Sequence, residues 1–132
     1  MKEMKVAVQL YTLRDYLKTP TDVANTLKRV KEIGYNAVQV SGMGPIGHGE
    51  LKELADREGL EICATHISYA DLVNRIEAVI EQHQLWNSKY VGIGGLPNEY
   101  RGSREGYAAF AKEASEIGKK LQEAGLTFIY HN

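Results

Sequence analysis

Two hydrophobic periods take turns along this chain, one alternating residue by residue over short stretches and one recurring at helical spacing. Stretches rich in Val, Ile, Tyr or Thr at residues 5–11, 37–41, 61–67, 90–94 and 126–131 predict five strands. Between them, Val23, Leu27, Val30 and Ile33 mark one apolar helix face, and Leu51, Leu54 and Ala55 mark a second over 49–58. Leu72, Ile76, Val79 and Ile80 give a third helix over 69–84, and Phe110, Ile117 and Leu121 a fourth over 103–124.

The helix ends have their own chemistry. Thr19 can accept a hydrogen bond as N-cap, Pro20 suits the first helical position and Asp22 sits at N3, while Ser103 is placed to cap the last helix. Gly34, Gly59 and Gly125 each follow a helical stretch, where only glycine enters the left-handed conformation without strain. The repeated unit of strand, loop, helix and glycine recurs every 25 to 35 residues or so, the size of a βαβ unit.

Strict alternation implies parallel strands joined by right-handed crossovers, so the expectation is an α/β fold. Residues 1–132 then form a single (β/α)4-β domain. Two closures fit. One is half of a TIM barrel, from β1-α1 to β5; the other is an open flavodoxin-like sheet, which five strands complete and which the length of 132 residues favours. The strand faces point the other way. Val6, Val8 and Leu10 share one side of the first strand, as Val38 and Val40 do on the second, leaving Gln9, Tyr11, Gln39 and Ser41 opposite. Both faces of an open parallel sheet lie under helices, and a buried amide without a partner costs about 1–3 kcal/mol there. In a barrel the same side chains face the interior and its mouth.

Further polar residues gather at the same strand ends: Thr12 and Arg14, His66 and Ser68, Asn98 and Glu99, then Tyr130, His131 and Asn132. In parallel α/β folds that edge carries the functional site. His48 and His83 fall in a loop and within a helix, where structural roles are expected, and Cys63 reads as an inert thiol inside a strand. The glycine-rich stretch Gly92-Ile93-Gly94-Gly95-Leu96-Pro97 follows a strand but lacks the dinucleotide spacing and the Lys-Ser/Thr of a phosphate loop. It implies close backbone approach instead.

Composition narrows the partners. Sixteen basic and 17 acidic residues give a net charge of -1 with the signs interspersed, which argues against a nucleic-acid surface. One cysteine forms no internal disulfide, and no membrane-length apolar run or signal-type start is present, so a cytoplasmic location is expected.

Four segments taken in order resemble a known family: Val8-Gln9-Leu10-Tyr11-Thr12-Leu13-Arg14-Asp15, Ile33-Gly34-Tyr35-Asn36-Ala37-Val38-Gln39-Val40, Ala64-Thr65-His66-Ile67-Ser68 and Gly125-Leu126-Thr127-Phe128-Ile129-Tyr130-His131-Asn132. They are similar to the xylose isomerase-like TIM-barrel family of sugar phosphate isomerases and epimerases, which includes inosose dehydratase and tagatose epimerase types. The resemblance implies a sugar or sugar phosphate as ligand. It also implies metal-assisted proton transfer next to a sugar carbonyl, with a divalent ion (Mn, Mg or Co) held by carboxylates and a histidine.

In the family those ligands come mostly from strands five to eight, and this sequence ends at the fifth strand. The chain alone is therefore expected to hold no metal and to lack turnover. Carried over are the substrate-side residues Tyr11 and His66, with Gln9, Gln39, Glu99 and His131 as further contacts; none is assigned as the catalytic base. Open strand edges imply a homo-oligomer or a missing C-terminal half. Two other readings stand beside this one: a flavodoxin-like ligand-binding module, and an oligomerising half barrel that binds a sugar without turning it over.

Overall fold

The computed structural model describes residues 3–131. Five parallel strands, β1 (Ala7–Gln9), β2 (Ala37–Val40), β3 (Glu61–His66), β4 (Tyr90–Ile93) and β5 (Thr127–Tyr130), pair in the order β1-β2-β3-β4-β5. The intervening helices are α1 (Pro20–Ile33), α2 (His48–Arg57), α3 (Tyr69–Asn74), α4 (Ile76–Trp86) and α5 (Arg104–Glu123). Sequential neighbours with right-handed crossovers place every connection on one face of the sheet. A flavodoxin-like sheet reverses strand order and carries helices on both faces, so that closure is excluded. The architecture is half of a TIM barrel.

The core lies between sheet and helices. Val38, Val40 and Ile62 pack with Val23, Leu27 and Val30 of α1 and Leu51 and Ala55 of α2. Val91 and Ile93 pack with Val79, Ile117 and Leu121 further along. Thr19 and Asp22 form a reciprocal capping box at α1, and Ser103 accepts a hydrogen bond from the Gly106 amide at α5. Gly34 ends α1 at φ 120°, as its position after the apolar face predicts.

Three local features differ from the sequence expectation. The first strand stops at Gln9, and Leu10–Tyr16 winds into 3-10 turns kinked at Leu13. There the Thr12 hydroxyl donates to the Gln9 carbonyl at 2.8 Å and Arg14 to the Tyr11 carbonyl at 3.0 Å, local bonds that compete with the sheet ladder. The third helix is two helices, broken at Arg75 (φ −140°, ψ 41°), and α4 ends on Asn87 in the left-handed region at φ 53°. Finally, β3 carries a bulge. Val38 lies opposite Ile62 but Gln39 opposite Ala64, so Cys63 is the extra residue. The bulge reverses the alternation along β3. Ile62 and Thr65 thus face the helices, while Ala64 and His66 join Gln9 and Gln39 on the concave face.

Candidate functional site

A hollow of about 520 Å³ opens at the C-terminal ends of the strands on that concave face. Gln9, Tyr11, His66 and His131, all named from sequence, line it together with Ser41 and Gly94. Gln39 lies behind His66, its amide Nε2 3.0 Å from the imidazole Nε2. Glu99 does not line the hollow. It is exposed on a 3-10 turn, Asn98–Tyr100, in the loop after β4.

Each side chain is placed by its strand end. The Tyr11 amide donates to Ser41 Oγ at 3.2 Å, tying the turn after β1 to the end of β2, and the Arg14 guanidinium lies 4.5 Å from the Tyr11 ring centroid. Gly42 makes this possible: at φ +67° it has no side chain, and a Cβ there would fall 2.8 Å from Tyr11 Cδ2. His66 and His131 meet edge to face, with ring centroids 5.3 Å apart. The His66 pKa is held below its ordinary value by burial first and by the His131 charge second, which favours a neutral imidazole at pH 7. Gly92 gives that ring room, since a Cβ there would lie 2.5 Å from the Thr65 carbonyl oxygen and 3.1 Å from His66 Cδ2.

Sequence reasoning gave Gln9 and Tyr11 by alternation, His66 and His131 by their place at strand ends, and Gly94 within a glycine stretch read as close backbone approach, but not Gly42 as part of the wall. Its signal was available only as a glycine just beyond a strand end.

Several titratable groups outside the hollow have structural partners or surroundings. His83 is fully buried; its Nδ1–H donates to the Val79 carbonyl at 2.7 Å and its Nε2 accepts from the Thr65 hydroxyl at 2.7 Å. His48 packs edge-on against Trp86, whose indole N–H donates to the His48 carbonyl at 2.9 Å. Burial and the nearby Glu61 raise the Cys63 thiol pKa, away from a nucleophilic thiolate. Tyr69 and Tyr100 both donate to one oxygen of Glu113, at 2.6 and 2.8 Å, clamping the loop after β4 to α5.

The mouth offers two imidazoles and no carboxylate. Mg and Mn take hard oxygen donors, and among the described residues no group of three or more His, Cys, Asp or Glu is close enough to hold an ion. These residues do not fit the family's divalent ion.

In fold, the chain is half of a TIM barrel, and it is similar to solved structures of that fold. A sugar phosphate isomerase/epimerase from Parabacteroides distasonis matches all of it at TM-score 0.78 with 19% identity, over 52% of its own chain. An AP endonuclease of family 2 from Brucella melitensis matches 96% of it at TM-score 0.72 with 9% identity, over 55% of its own chain. In sequence, a redox-sensing transcriptional repressor Rex from Syntrophobacter fumaroxidans is 25% identical over 125 residues, 89% of this chain and 55% of the repressor. No family model matches. The chain spans about half the length of each of these proteins. Among the described residues no helix is long and apolar enough to cross a membrane.

Proposed function

We propose that the mouth hollow binds a sugar or sugar phosphate and forms the substrate-side wall of an isomerase/epimerase-type site, with no turnover by this chain alone. The observation that carries this reading is the convergence of Gln9, Tyr11, Ser41, His66 and His131 in one hollow at the strand ends. Amide, hydroxyl and neutral imidazole each pair with sugar hydroxyls as donor or acceptor, and an aromatic ring offers the flat apolar surface that a sugar face covers. The half-exposed Tyr11 supplies that ring.

Isomerisation moves a proton beside a carbonyl and leaves negative charge on oxygen. A divalent ion such as Mn, Mg or Co supplies Lewis-acid stabilisation in that chemistry. Its carboxylate ligands have to come from outside this wall, so the part assigned to these residues is binding and orientation. A second copy or a C-terminal half barrel would cover the free edges of β1 and β5. Nucleic-acid binding is disfavoured by the net charge of -1 with the two signs interspersed along the chain.

Calorimetric titration with a ketose and its phosphate ester, without metal, tests the reading. At least one should bind the intact protein, and His66→Ala should weaken it by about tenfold, the loss of about 1.4 kcal/mol. No heat from either ligand, or unchanged binding by the variant, would contradict it. A native mass spectrum reports the partner, with a dimer expected in the absence of any other half barrel.

A further inference from the structure

Beneath the mouth, one contact fixes the chemistry of its central histidine. The Gln39 and His66 side chains meet with amide Nε2 3.0 Å from imidazole Nε2, and an amide NH2 only donates. With the amide in this orientation His66 Nε2 is the acceptor and the ring proton sits on Nδ1. The other amide oxygen, Gln39 Oε1, is buried with no hydrogen-bond partner. The opposite end of the ring faces the hollow: a Cβ at Gly94, which lines it, would lie 3.7 Å from His66 Nδ1.

We propose that Gln39 is a positioning residue which, through Nε2, locks His66 in the neutral Nδ1–H tautomer and so aims an N–H donor into the sugar hollow beside Gly94. This rests on the function proposed above and deepens it. His66 then offers a hydrogen bond to a carbonyl, hydroxyl or phosphate oxygen of the ligand and does not present a lone pair to remove a proton. The ligand oxygen nearest Gly94 is accordingly recognised as an acceptor.

The direct readout is the tautomer. Two-bond 1H–15N correlation spectra of protein labelled at histidine, with His66 assigned by loss of its signals in His66→Asn, should show Nδ1 protonated in the wild type at pH 8. Gln39→Leu should shift His66 toward the Nε2–H form that free imidazole side chains favour. Gln39→Glu, which retains size and a polar end, should drive it to Nε2–H, because a carboxylate can only accept. A wild-type His66 already protonated on Nε2, or the same tautomer in all three proteins while they remain folded by circular dichroism, would overturn the proposal. Adding a ketose phosphate to the labelled wild type separates the two claims. Movement of the His66 Nδ1 signal supports both; an Nδ1–H tautomer that no sugar perturbs would leave the lock in place and sink the sugar assignment.

Discussion

Thr65→Val examines the support on which the mouth is built. Thr65 precedes His66 on β3, and its hydroxyl, fully buried, donates at 2.7 Å to Nε2 of His83, also fully buried. The ring's single N–H, on Nδ1, donates to the Val79 carbonyl, so the imidazole is neutral and satisfied at both nitrogens. Valine keeps the shape of threonine and the strand preference but deletes the donor, leaving a buried nitrogen without a partner. That costs about 1–3 kcal/mol. For a domain between the 100- and 150-residue benchmarks, about 4 °C of melting temperature goes with each kcal/mol, so the midpoint should fall by about 4–12 °C.

The same site predicts a pH dependence. Burial lowers the His83 pKa from 6.5, so the unfolded chain takes up the proton more readily than the folded one. The stability from the neutral ring is complete above pH 6.5 and is lost as pH falls below it, by at most about 1.4 kcal/mol per pH unit for one group. His66 is shifted in the same direction, and a parallel scan of His66→Asn removes its share. Thermal and urea melts between pH 8 and pH 5 measure both effects. An unchanged midpoint in Thr65→Val, or a wild-type stability flat across that range, would refute the argument.

Other perturbations follow from backbone geometry and from the loop clamp. Gly92→Ala drives a carbon to 2.5 Å from the Thr65 carbonyl oxygen and against His66, so it should cost about 1–3 kcal/mol in a urea melt and displace the His66 ring signals. Gly34→Val places a β-branched residue at φ +120° with open space around it; the loss of about 1–3 kcal/mol would come from backbone strain alone, and Gly34→Asn should recover part of it. Glu113→Gln removes the charge that accepts from both Tyr69 and Tyr100, and amide exchange should quicken at residues 98–102 while β1 and β2 stay protected.

Much of the architecture was legible because helix and strand periods do not overlap and because the stops are chemical. Thr19, Ser103 and the glycines at 34, 59 and 125 act at the helix ends where the sequence predicts them. Gln9 and Gln39 tilted the closure toward a barrel, and the family resemblance supplied the half-barrel reading. Two amides at matching places on one face ask for a wet concave side, and the strand order bears this out. What could not be read were irregularities decided by single hydrogen bonds. The extra residue at Cys63 leaves no mark in a hydrophobic pattern, yet it turns His66 toward the mouth. The break at Arg75 lies inside an uninterrupted apolar stripe, where its amide bonds the Asp71 carbonyl at 2.7 Å and its guanidinium pairs with the Asp71 carboxylate. Glu99 shares the strand-end position of the other polar residues, but the loop after β4 carries it outward.

The central claim is that the strand-end hollow is a sugar site, and a 1H–15N titration with a ketose phosphate tests it most directly. Shifts that saturate and cluster at Gln9, Tyr11, Ser41, His66, Gly94 and His131 are the predicted result. Absence of saturable shifts, or their appearance along the groove between Phe110, Gly118 and Phe128 on the α5–β5 side, would contradict it.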